Sequence, residues 1–179
     1  MKKAVFFDRD GVINVDHGYV GRISDFEFLD GVFMTLSAFR RLGYLLILTT
    51  NQSGIARGFY SEEDFLILSE YMQSVLKEHD AAFDGIYYCP HHPNAQVLQY
   101  KKECNCRKPK PGMFLDAVAK FNIDVNQSAM IGDHAGDLIA AKAAGISRLF
   151  LVGNHIQTEK IKIPGCICCS SVSECLKYF

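Results

Sequence analysis

Two carboxylates in Asp8-Arg9-Asp10-Gly11 follow directly on the apolar run 4–7. Side chains of an extended segment alternate with period two, so a strand that stops at D-x-D sends both carboxylates to one side of its end. Such a pair repels itself unless solvent or a cation neutralises it. It suits Mg²⁺, which takes one or two carboxylates together with phosphate oxygens and water. Three further clusters share this chemistry. Thr49-Thr50-Asn51-Gln52-Ser53-Gly54 offers hydroxyl and amide donors, Arg107-Lys108-Pro109 offers cations, and Gly132-Asp133-His134-Ala135-Gly136-Asp137 offers more acid. Taken singly, these are a turn, a solvated basic pair and a helix cap. Together they are the equipment of Mg²⁺-assisted phosphoryl transfer.

A second constellation is Cys89-Pro90-His91-His92-Pro93 with Cys104-Asn105-Cys106. Three thiolates and one imidazole close a tetrahedral Zn²⁺ site with no position left for water, which makes the metal structural. By spacing alone either His91 or His92 serves. A metal clip offsets the entropy of ordering a long loop, and this loop also carries Arg107 and Lys108. The other cysteines, Cys166, Cys168, Cys169 and Cys175, lie in an apolar tail and read as small hydrophobes in a short buried strand that enters a helix.

The elements that must position these residues alternate. Strands are expected over 4–7, 44–49, 85–88, 129–131, 148–152 and 167–169, mostly too continuously apolar for a half-exposed sheet, and hence buried on both faces. Helices are expected over 32–41, 62–78, 113–121 and 137–144. Ser61 is the N-cap of the second, whose apolar stripe is Phe65, Leu68, Met72 and Val75, and Gly145 ends the last. This alternation predicts an α/β fold, a doubly wound, mostly parallel sheet flanked by helices. Ligands then bind beyond the carboxyl ends of the strands, where all four clusters fall.

On Asp8-Arg9-Asp10-Gly11-Val12, Thr50-Asn51-Gln52, Lys108 and Gly132-Asp133 with Asp137, the chain resembles the haloacid dehalogenase-like phosphatase superfamily over nearly its whole length. The resemblance implies a Rossmann-like fold, with Asp8 as nucleophile forming an aspartyl-phosphate and Asp10 as general acid, then base. It implies Thr50 and Lys108 on the phosphoryl oxygens, and Mg²⁺ on Asp8, the Asp10 carbonyl and Asp133. Asp137 is left to orient Lys108, hold a metal-bound water, or cap its helix. Among zinc ligands the resemblance selects His91, giving Cys89, His91, Cys104 and Cys106. The longer strings 14–20, 50–58, 87–93 and 106–109 resemble the heptose bisphosphate phosphatase subgroup, related to the histidinol-phosphate phosphatases.

That subgroup implies a sugar bisphosphate substrate, with the C7 phosphate removed to give heptose 1-phosphate on the way to ADP- or GDP-heptose. It implies substrate contacts from Asp16, His17, Gly18, Tyr19, Thr50, Asn51, Gln52, Ser53, Arg107 and Lys108, and from His134 where the subgroup commonly carries lysine. A histidinol-phosphate phosphatase is the nearest rival reading. A noncatalytic zinc module for a protein partner would need the zinc loop without the acidic motifs.

Composition bounds the rest. With 179 residues, 49% of them hydrophobic, the chain holds one ordinary core, so residues 1–179 are expected to form a single domain without a separate cap. The segment from Gly11 to Asp30 and the zinc loop then shape the entrance. A formal net charge of -1 supplies no broad basic field for nucleic acid. The N-terminal apolar run is too short for a signal peptide or membrane span, and seven cysteines argue against a disulfide framework. The expectation is a cytoplasmic monomer that binds neither nucleic acid nor membrane.

Overall fold

Six parallel strands form one sheet in the computed structural model, which describes residues 1–153 and 156–179. They are β1 (Ala4–Phe7), β2 (Leu45–Asn51), β3 (Gly85–Cys89), β4 (Ala129–Gly132), β5 (Arg148–Val152) and β6 (Ile167–Cys169). Their spatial order is β3-β2-β1-β4-β5-β6. The winding reverses beside β1, and that switch point opens a crevice at the carboxyl ends of β1 and β4.

The helices are α1 (Val32–Arg41), α2 (Ser53–Arg57), α3 (Glu62–Glu78), α4 (Gly112–Phe121) and α5 (Ala135–Ala143). Alternation along the central strands divides the core in two. Val5, Phe7, Leu46, Leu48 and Ile131 pack under α1 and α3 through Leu36, Phe39, Met72 and Leu76. Ala4, Phe6, Ile47, Met130 and Leu151 pack under α4 and α5 through Phe114, Ala117, Leu138 and Ala141. Covering both faces is what a parallel sheet requires, and it explains the unbroken apolar runs of β1 and β4.

Four expectations change. β3 and β6 are edge strands and only partly buried, because each has a neighbour on one side alone. In the tail Cys169 and Cys175 are buried as expected, but Cys168 is exposed, and a 3-10 helix over Ser173–Tyr178 follows instead of an α-helix. The buried stripe of α3 runs through Leu76, with Val75 at its margin. Helix α5 begins at Ala135, so Asp137 lies inside its first turn. Ser61 does cap α3, in a reciprocal box with Asp64.

Candidate active site

β1 ends at Phe7, and Asp8 N still donates to Ile131 O of β4 at 3.1 Å, so Asp8 is held at the sheet's end. The chain then turns at Gly11, whose φ of +79° suits glycine. A Cβ there would also lie 2.4 Å from Asp133 Oδ2, so the first and last acidic motifs meet at that glycine.

Lys108 reaches the centre from the zinc loop. Its ammonium lies 2.7 Å from Asp8 Oδ1 and 2.7 Å from Asp137 Oδ1, and donates to Thr49 O at 2.8 Å. Burial alone would strip its proton, but Asp137 and Asp8 outweigh that and hold it above the ordinary lysine range. Burial likewise pushes the Asp8 carboxyl up to about 6; Lys108 opposes this, while the charges of Asp137 and Asp10 add to it. Asp137 also accepts from His134 N at 3.1 Å through its other oxygen. It therefore both steadies Lys108 and caps the helix, two roles that the sequence presented as alternatives.

Asp10 has both oxygens engaged. Oδ1 accepts from Arg9 Nη2 at 2.8 Å and Asn14 Nδ2 at 3.0 Å, and Oδ2 accepts from Gln52 Nε2 at 3.2 Å. With its carboxylate so engaged, its backbone carbonyl is the atom that fits the metal role the resemblance implies. Asp8, this carbonyl and Asp133 fit Mg²⁺: burial, then the nearby Asp8 charge, raises Asp133, with His134 opposing, and a divalent cation relieves that repulsion. His134 Nδ1 sits 2.8 Å from Asp133 Oδ1, and this bond pushes the imidazole up to about 9 against the effect of its burial.

β2 runs two residues beyond its expected end, so Thr50 and Asn51 are strand residues paired with Tyr88 and Cys89 of β3. Thr50 is buried and accepts from Gln52 Nε2 at 2.7 Å. Asn51 turns toward the zinc loop and brackets Lys108, accepting from its N at 3.0 Å and donating to its O at 3.1 Å.

The zinc expectation takes definite shape. The sulfurs of Cys89, Cys104 and Cys106 lie 3.1–3.4 Å apart, and His91 Nδ1 is 3.4 Å from Cys106 and 3.7 Å from Cys89. The four atoms converge on one point, and a tetrahedral ion with arms of about 2.3 Å would hold them there with the sulfurs spread by a few tenths of an ångström, to about 3.8 Å. Burial keeps the His91 imidazole below its ordinary value, in the neutral form a metal takes. His92 instead accepts from Asn94 N, so geometry separates the two histidines where spacing did not.

A cleft of about 220 Å³ gathers Asp8, Asp10, Asp16, Tyr19, Thr50, Asn51, Gln52, Ser53, Lys108 and His134, with Asp137. Asp133 stands behind Gly11, on the wall of a neighbouring hollow. Three expected substrate contacts are not on the cleft wall. His17 points to Glu27 at 3.6 Å, Gly18 N is tied to Asp16, and Arg107 donates to His91 O at 3.3 Å. Sequence reasoning missed Arg9, which is buried and also donates to Val20 O, and Tyr60 and Gly54, which line the cleft. An arginine inside D-x-D gives no signal of burial, and the tyrosine sits among other aromatics.

Residues 105–174 match the HAD-hydrolase-like family model. The D-glycero-beta-D-manno-heptose-1,7-bisphosphate 7-phosphatase of Vibrio cholerae is 58% identical over 151 residues, covering 84% of this chain and 81% of that protein. The Escherichia coli K12 protein of the same name is 49% identical over 149 residues, covering 83% and 78%. Among solved structures, the B. bronchiseptica D,D-heptose 1,7-bisphosphate phosphatase complexed with magnesium and phosphate superposes with a TM-score of 0.85 at 28% identity, over 98% of this chain and 97% of that one.

Proposed function

Since the chain belongs to the haloacid dehalogenase-like hydrolases and, within them, to the D-glycero-beta-D-manno-heptose-1,7-bisphosphate 7-phosphatase family, we propose that it removes the C7 phosphate of that sugar through Asp8, Asp10, Thr50 and Lys108. The observation that carries these assignments is the Lys108 ammonium, 2.7 Å from Asp8, in one cleft with Asp10 and Thr50. Asp8 attacks phosphorus in line, and the bond to the C7 oxygen breaks as that oxygen takes a proton from Asp10. Water then attacks the aspartyl-phosphate and returns a proton to Asp10. The bond to Asp8 breaks and inorganic phosphate leaves. Thr50 and Lys108 hold the phosphoryl oxygens throughout. Asp8, the Asp10 carbonyl and Asp133 would hold Mg²⁺, which neutralises charge between nucleophile and phosphate when bound.

Asp16, Tyr19, Asn51, Gln52 and Ser53 line the cleft and are assigned to the sugar bisphosphate, with His134 near the metal-binding acids. His17, Gly18 and Arg107 belong to the same assignment only if the entrance loops close over substrate. Residues 1–179 are taken as one domain, acting as a cytoplasmic monomer on a small molecule and on neither nucleic acid nor membrane. Among the described residues no helix is long and apolar enough to cross a membrane.

The test is kcat/KM on both anomers of the heptose bisphosphate and on histidinol phosphate, with Mg²⁺. The beta anomer should be the best substrate. Greater efficiency on histidinol phosphate would overturn the assignment.

A further inference from the structure

Tyr60 lies on the cleft wall, yet none of the steps above uses it. It precedes the N-cap Ser61, so the start of α3 fixes its backbone. Its ring is 8% exposed and wedged between two glycines. A Cβ on Gly21 would fall 2.2 Å from the ring, and one on Gly54 would fall 2.3 Å from it. The hydroxyl donates to Gln52 Oε1 at 2.5 Å, and burial pushes the phenol up to about 12, so it remains a donor at neutral pH.

That bond, together with the acceptor-only carboxylate of Asp10 on the other side, fits the Gln52 amide with its oxygen toward Tyr60. With Oε1 occupied as acceptor, the two hydrogens of Nε2 go to Thr50 Oγ1 at 2.7 Å and Asp10 Oδ2 at 3.2 Å. Thr50 accepts from the amide, so its own hydrogen is turned away, toward the cleft. Asp10 Oδ1 already accepts from Arg9 and Asn14, which stabilise charge on it. The transferable proton is thereby left to Oδ2, the oxygen that Gln52 pins. A flipped amide would set a carbonyl against Asp10 and draw the Thr50 hydroxyl back to itself.

We propose that Tyr60 is a positioning residue: through the Gln52 amide it sets the direction of the Thr50 hydroxyl and the oxygen from which Asp10 gives its proton. The inference rests on the phosphatase reading above, and its signature depends on the leaving group. An alkoxide leaving from C7 needs the Asp10 proton, whereas p-nitrophenolate departs without one.

Tyr60→Phe keeps the ring between its glycines and deletes only the hydroxyl. The readout is kcat/KM on the heptose bisphosphate and on p-nitrophenyl phosphate, since this ratio reports steps through phosphoryl transfer to Asp8. The expected fall is about 10-fold or more on the sugar and about 2- to 3-fold on the aryl ester, the latter from Thr50 alone. Equal falls on both, or no fall on the sugar, overturn the proposal. A cooperative melt certifies the fold; if Tyr60→Phe does not fold, Gln52→Met is measured for the same split between a simple alkyl phosphate and p-nitrophenyl phosphate, a pair that makes no sugar contacts. Wild-type protein inert toward both esters would instead overturn the phosphatase reading, so the two failures are distinguishable.

Discussion

An ammonium as deeply buried as that of Lys108 keeps its proton only because two carboxylates meet it at 2.7 Å. The same contact orients Asp8, the proposed nucleophile. Asp8→Asn is nearly isosteric but neither attacks phosphorus nor balances a divalent cation. The variant should stay folded and lose at least about 10⁴-fold in turnover, since no other nucleophile replaces it. A steady-state assay beside a thermal melt checks both halves. Retention of near wild-type turnover would sink the covalent route. Arg9 works beneath this layer: its guanidinium bonds Asp10, with its Cζ 5.7 Å from the centre of the Phe65 ring, so the proposed general acid is anchored to the core.

At the scale of elements, β2, β3 and the zinc loop act as one unit. Cys89 ends β3 directly opposite Asn51, its carbonyl accepts from Gln52 N at 2.8 Å, and Asn51 clamps the Lys108 peptide two residues past Cys106. A metal on Cys89, His91, Cys104 and Cys106 would fix both ends of the segment that delivers the ammonium. Purified, reduced protein is therefore expected to hold about one zinc per chain by elemental analysis. Cys104→Ser with Cys106→Ser should lose the zinc and about 10²-fold in kcat, because a displacement of an ångström at a catalytic group costs on that order. Zinc-free wild-type protein, or a fully active double variant, would refute this.

At the scale of the molecule, one sheet carries both cores, and the cleft opens where its winding reverses. The residues that line the cleft gather at that end of the sheet, and the chain is proposed to act as a monomer. Sedimentation should accordingly show a single species near 20.1 kDa across the assay's concentration range. A dimer whose dissociation abolishes activity would contradict the monomer assignment. The exposed edges β3 and β6 are short, at five and three residues, which limits pairing with another copy.

Much was legible in the residues themselves. D-x-D after an apolar run, Gly-Asp before a helix, and cysteines flanking histidine each state their chemistry locally. Strand-helix alternation then dictates that local motifs converge at one sheet end, because a parallel sheet has its loops there. What the chain order does not contain is contact between distant side chains. The choice of His91 over His92 by geometry, the double duty of Asp137, the Asn51 clamp on Lys108 and the path from Tyr60 to Asp10 all depend on which atoms face each other after folding. The extent of burial belongs to the same class. β6 reads as buried in composition but lies at an edge, and Arg9 gives no signal of burial but lies in the interior, because burial is decided by neighbours that only the tertiary packing brings together.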